Sequence, residues 1–220
     1  MTLSEFRAEN LAIMQARRLE QFRHLNPLSR KGQTVFAGSS LMEHFPIGEF
    51  LLDMQLPYCI YNRGISGYIS SQLLANLGDI VLDLEPSRLF INIGTNDLGQ
   101  GLGEILWQNY DEILCRVREA LPECTIYVMA YYPCNDADDF GGDPEAKARA
   151  FKKRNPASIL AANERLKDLA ARHSCRYIDV NEGLYYENGR LKAALSMDGI
   201  HMFPEGYTIV MKNLLPYLEA

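Results

Sequence analysis

Thr34-Val35-Phe36-Ala37-Gly38-Ser39-Ser40 is the stretch from which the rest of the chain is read. β-Branched and aromatic residues make a short run suited to a strand, and Gly-Ser-Ser closes it. Runs of the same kind recur at Cys59-Ile60-Tyr61-Asn62, closed by Arg63-Gly64, and at Leu89-Phe90-Ile91-Asn92-Ile93, closed by Gly94. Two more follow, Thr125–Ala130 ahead of Tyr132-Pro133, and Arg176-Tyr177-Ile178-Asp179-Val180. Helical patterns separate most of them. Glu104–Ala120 carries Ile105, Leu106, Ile113, Leu114 and Val117 on its expected buried side. Pro156–His173 and Pro204–Leu218 each begin with a proline, which suits a first turn. Strand alternating with helix, and strands apolar throughout, predict an α/β protein with a parallel sheet covered on both faces.

Outward from this frame, Leu3 to Phe22 reads as an amphipathic helix, with Phe6, Leu11, Met14 and Leu19 on its packing side. Its charges are mixed, so it is expected to pack rather than lie on a membrane. The 220 residues suit one domain over 1–220, with this helix inside 1–26 and a variable loop at 133–154. The net charge of -6 and the lack of a long basic run argue against a nucleic-acid partner. Lys152-Lys153-Arg154 is read as a solvated face. No apolar stretch reaches membrane-spanning length. Five cysteines without CxxC or Cys/His ligand spacing predict reduced thiols, no metal site and a cytoplasmic location. The acids of the 133–154 loop lack a full calcium-loop spacing. A homo-oligomer is compatible with the sequence, the first helix being the candidate interface.

Open parallel sheets bind ligands at the carboxyl ends of their strands. Gly38-Ser39-Ser40, Asn62-Arg63-Gly64 and Gly94-Thr95-Asn96-Asp97 each follow a strand, so one sheet edge is expected to gather them. Ester hydrolysis by serine needs a hydroxyl, an imidazole base, a group that orients the base, and N–H donors for the oxyanion. Ser40 offers the hydroxyl. Asp198-Gly199-Ile200-His201 offers the rest of the relay, because an aspartate three residues before a histidine reaches its Nδ1–H within one turn. Other readings stay open on the residues alone. Ser39 or Ser40 caps a helix, Gly64 and Asn96 belong to turns, or His44, four residues after Ser40, is the base.

Taken in order, Gly-x-Ser, Asn-Arg-Gly, Gly-x-Asn-Asp and Asp-x-x-His resemble the blocks of the SGNH, or GDSL-like, hydrolases, over Val35 to Tyr207. Asn62-Arg63-Gly64-Ile65-Ser66-Gly67 resembles the subset related to platelet-activating-factor acetylhydrolase subunits. The resemblance implies a flavodoxin-like three-layer α/β/α sandwich with five parallel strands and no cofactor. It implies Ser40 as nucleophile, Asp198 and His201 as its relay, and Ser40, Gly64 and Asn96 as oxyanion donors. The expected substrate is a small acyl ester of a carbohydrate, lipid or aryl alcohol. Ser39, where the family usually has aspartate, and Tyr131 and Tyr132, after the fourth strand, are candidates for the substrate pocket. The alternatives are a noncatalytic carbohydrate- or lipid-binding relative, or a nucleotide-binding module; the latter lacks a phosphate loop of sufficient length.

Overall fold

The computed structural model describes residues 2–219. Helix α1 (Leu3–Leu25) leads to β1 (Thr34–Gly38), the short helices α2 (Ser40–Glu43) and α3 (Ile47–Asp53), and β2 (Ile60–Gly64). Helices α4 (Ser70–Ala75) and α5 (Leu77–Ile80) precede β3 (Arg88–Asn92), followed by α6 (Thr95–Gln100) and α7 (Gly103–Ala120). The second half runs β4 (Thr125–Met129), α8 (Pro144–Phe151), α9 (Pro156–Arg172), β5 (Arg176–Ile178) and α10 (Pro204–Glu219). The five strands form one parallel sheet in the order β2-β1-β3-β4-β5, flanked by helices in a three-layer α/β/α arrangement.

Strand side chains alternate between the two faces. Val35, Ala37, Leu89, Ile91, Ile126 and Val128 pack under α1, α4, α5, α7 and α9. Phe36, Phe90, Tyr127, Met129 and Ile178 pack under α2, α3 and α10. The pairing register sets Gly38 level with Gly64 on one side and Asn92 on the other. The segments that leave these three strands therefore emerge at one edge.

Two expectations about packing change. Leu19 and Phe22 of α1 are buried, but Phe6, Leu11 and Met14 are 48%, 41% and 67% exposed. The last turns of α1 meet α5, whereas its first half runs beyond the core. Ile105 is likewise exposed at the start of α7, while Leu106 is buried. The stretch expected as a loop over 133–154 contains α8, whose Asp143 cap accepts the Glu145 N–H and whose Phe151 is its one buried residue.

Candidate active site

β1 ends at Gly38, where any Cβ would collide with the carbonyl oxygen of Asn92. Glycine lets the strand end lie this close to β3 before the chain turns. Ser39 is the cap residue of α2. It is buried, and its carbonyl accepts the N–H groups of Met42 and Glu43 at 3.1 and 2.9 Å. Ser40 follows as the first helical residue, 8% exposed, and its own N–H has no partner among the described residues.

The other half of the constellation comes from the loop before α10. Asp198 Oδ1 accepts the backbone N–H groups of Ile200 (2.9 Å) and His201 (2.7 Å), which curls the loop back on itself. Asp198 Oδ2 lies 2.6 Å from His201 Nδ1, and His201 Nε2 lies 2.9 Å from Ser40 Oγ. The Asp198 contact fixes the tautomer: Nδ1 carries the hydrogen, so Nε2 is free to accept the serine proton. Burial pushes the Asp198 carboxyl up, but the His201 ring, its backbone N–H and its charge outweigh this and hold it down at about 2. The loop is anchored elsewhere too. Ser196 Oγ donates to the His201 carbonyl (2.8 Å), and Asn135 N–H donates to the Gly199 carbonyl (2.8 Å).

His44 also reaches this place. Its ring centroid lies 5.3 Å from that of His201, and burial, then the neighbouring imidazole, lower its pKa. No side chain among the described residues hydrogen-bonds it, so nothing orients it toward Ser40.

The donors around Ser40 differ from expectation at one position. The Gly64 N–H is taken by the side chain of its neighbour Asn62, whose Oδ1 accepts it at 2.9 Å. Gly64 is instead a close-packing residue, since a Cβ there would collide with the backbone of Glu43 at the end of α2. Three residues on, Gly67 turns at φ +75°, and its N–H has no partner among the described residues. The loop carrying it is held from two sides: Ser66 N–H donates to Glu43 Oε2 (2.6 Å), and Gln15 of α1 donates to the Ser66 carbonyl (2.9 Å). Asn96 Nδ2 donates to the Tyr68 carbonyl at 2.9 Å, one residue past Gly67. This leaves the second Nδ2 hydrogen available. Asn96 is kept in place through its neighbour Asp97, fully buried, which accepts the Ser70 hydroxyl at 2.5 Å and the Ser70 N–H with both oxygens. Burial raises the Asp97 pKa against those hydrogen bonds.

Tyr131 and Tyr132 do not line this centre. Tyr131 is fully buried, its hydroxyl donating to the Ile93 carbonyl at 2.8 Å. Tyr132 is buried on the opposite face among Phe36, Met129 and Tyr207. The two rings turn into opposite cores, but the strand parity shifts past Met129: Tyr131 joins the core that holds Val128, and Tyr132 the core that holds Met129. Arg154, read as part of a solvated run, is half-buried, with Nη1 3.3 Å from Asn96 Oδ1, while Lys152 and Lys153 are exposed. Of the two residues missed in the sequence, Gly67 carried a signal, a second glycine in the same block. Arg154 carried none.

An open parallel sheet with a hydroxyl–imidazole–carboxylate chain on its carboxyl edge defines the class: a carboxylic ester hydrolase. The chain belongs to the GDSL-like lipase/acylhydrolase family, whose model matches residues 49–209. That span takes in Gly67, Asn96, Asp198 and His201; Ser40 lies ahead of it. None of the curated proteins matches the chain. Among solved structures, a Streptococcus pneumonia protein named for platelet activating factor has TM-score 0.87 and 27% identity, covering 98% of this chain and 97% of its own. A GDSL-like lipase from Bacteroides thetaiotaomicron has TM-score 0.74 and 21% identity, covering 91% and 97%. An acetylxylan esterase from Geobacillus stearothermophilus, solved as a catalytic mutant, has TM-score 0.62 and 16% identity, covering 85% and 94%. The last two likenesses are of fold. Among the described residues, no helix is long and apolar enough to cross a membrane.

Proposed function

We propose that this enzyme hydrolyses acetyl or other short acyl esters of carbohydrate, lipid or aryl alcohols through an acyl-enzyme on Ser40. The observation that carries the reading is the unbroken chain Ser40 Oγ–His201 Nε2 at 2.9 Å and His201 Nδ1–Asp198 Oδ2 at 2.6 Å. His201 takes the Ser40 proton as Oγ attacks the ester carbonyl, and Asp198 stabilises the imidazolium that forms. The tetrahedral oxyanion is received by the N–H groups of Ser40 and Gly67 and by Asn96 Nδ2. Collapse expels the alcohol, which takes the proton from His201. Water then enters, gives its proton to the same imidazole, and releases the acid while Ser40 recovers its hydrogen.

The acyl side is read as short because Ser40 is buried, whereas Asp198 stands 46% exposed on the other side of the relay. A GDSL-like lipase and an acetylxylan esterase of the same fold support an ester of a hydroxylated alcohol. A reducing, cytoplasmic setting is supported by all five cysteines being free thiols. The test is hydrolysis of p-nitrophenyl acetate, butyrate and octanoate by the wild type and by Ser40→Ala. Acetate and butyrate are expected to turn over, with Ser40→Ala slower by roughly 10⁴-fold or more. A wild type inert on all three esters, or a Ser40→Ala protein as fast as the wild type, would refute the reading.

A further inference from the structure

A cavity of about 580 Å³ lies between the start of α9, the ends of β4 and β5, and the turn at 185–190. Neither Ser40 nor His201, nor any oxyanion donor, lines it. One strip of backbone separates it from the catalytic loop: Pro133 and Asp136 face the cavity, while Asn135 between them donates to Gly199 on the other side. We infer that this cavity binds a neutral, hydroxyl-rich ligand, a mono- or disaccharide, at a site separate from the hydrolytic one.

The argument starts from Asn181, which lines the cavity and is 4% exposed. Its Nδ2 donates to the Tyr131 carbonyl at 3.0 Å, which fixes the orientation of the amide. Its Oδ1 is buried and has no partner in the protein. A buried carbonyl of this kind calls for a donor. The neighbouring amide of Asn163 is turned to Tyr131 instead, its Oδ1 accepting the N–H at 2.8 Å and its Nδ2 donating to the carbonyl at 3.3 Å, and it makes no hydrogen bond to Asn181. Asp179, also in the lining, presents a carboxylate. The wall therefore asks for a ligand that donates.

Charge narrows the class. Arg190 Nε donates to Asp136 Oδ1 at 2.8 Å, so these two charges offset each other in the wall. A carboxylate would bring only acceptors to Asn181, and carboxylate and phosphate alike would set negative charge beside Asp179. An ammonium ion would donate, but would face the positive end of α9. A hydroxyl both donates and accepts and carries no charge. Tyr185, 45% exposed at the rim, offers a ring face to the apolar side of a pyranose. The volume falls within the range of small-ligand sites.

Calorimetric titration of the full chain with cellobiose, lactose and xylobiose tests the assignment, with inorganic phosphate and methylammonium as charged controls. At least one disaccharide is expected to bind with a millimolar Kd, more tightly than either control. Tyr185→Ala is expected to weaken that binding about tenfold while leaving p-nitrophenyl acetate hydrolysis unchanged. Tyr185 is exposed, so this variant avoids the folding risk of Asn181→Leu, which should show the same loss. His201→Ala should bind as the wild type does. No disaccharide binding up to tens of millimolar, tighter binding of phosphate or methylammonium, or binding lost in His201→Ala but unmoved by Tyr185→Ala would each overturn the inference.

Discussion

Arg154 Nη1 donates to Asn96 Oδ1 at 3.3 Å, and this contact sets the direction in which the Asn96 amide faces. With Oδ1 held by the guanidinium, Nδ2 points to the Tyr68 carbonyl and keeps one hydrogen free, the one the proposed mechanism gives to the oxyanion. In the proposed mechanism Arg154 is therefore a positioning residue, reaching the site from the segment between α8 and α9. Asn96→Ala should lower kcat by roughly 10²–10³, the usual effect of removing one oxyanion donor. Arg154→Ala should lower kcat by about tenfold with little change in KM, because the donor survives but is less well aimed. Steady-state kinetics on p-nitrophenyl acetate separates the two. A rise in KM alone would make Arg154 a substrate-binding residue instead.

Gly64 and Gly48 make a contrasting pair for stability. A methyl at Gly64 meets the backbone of Glu43, which cannot give way without moving the helix that begins at Ser40. At Gly48, within α3, a methyl meets nothing within 4 Å. Gly64→Ala should lower the melting temperature by several degrees, corresponding to roughly 1–3 kcal/mol of overpacking. Gly48→Ala should leave it unchanged or slightly higher, since alanine is the better helix former. Thermal melts of the two variants check this; equal melting temperatures would mean α2 tolerates displacement.

These positions also show what the sequence carries and what it lacks. The strands were legible because a sheet covered on both faces needs apolar residues at every position, as in Val35-Phe36-Ala37 and Leu89-Phe90-Ile91. The relay was legible because Asp198 and His201 are linked by a local turn, and Ser40 follows a strand end. Other features depend on where elements stop in space. The stripe of Phe6, Leu11 and Met14 has helical spacing, yet all three stay largely exposed, Leu11 meeting only the loop at Gly67. Tyr131 and Tyr132 read equally as pocket or core residues, and the parity shift after Met129, invisible in the sequence, decides which core each enters. The Gly64 N–H was taken out of play by the side chain of Asn62, a contact that spacing alone does not reveal.

Two imidazoles, His44 and His201, stand near Ser40, but only His201 has both the serine and a carboxylate as partners. His201→Ala should bring kcat close to background, a loss of roughly 10³-fold or more. His44→Ala should retain activity within a few-fold, since no side-chain hydrogen bond ties His44 to the reacting groups. Loss of activity in His44→Ala with retention in His201→Ala would reverse the assignment.

Asp198 makes a pH prediction whose sign follows from its depressed pKa. The folded protein holds this carboxyl at about 2, whereas a free aspartate titrates near about 3.9. Over that window the unfolded chain binds the proton more readily than the folded one, so acid shifts the balance toward unfolding. The stabilisation from the Asp198–His201 contact is therefore present in full above about pH 4 and lost as pH falls toward about 2. In Asp198→Asn the charge is absent at every pH. The difference in melting temperature between wild type and Asp198→Asn should be open above about pH 4 and should close on acidification through that window. At neutral pH the same variant should lose roughly 10⁴-fold in kcat, because an amide no longer enforces the tautomer that leaves Nε2 free. A melting difference that stays constant down to pH 2 would show that the carboxylate contributes no charge-dependent stability, and the catalytic loss would then have to arise from geometry alone.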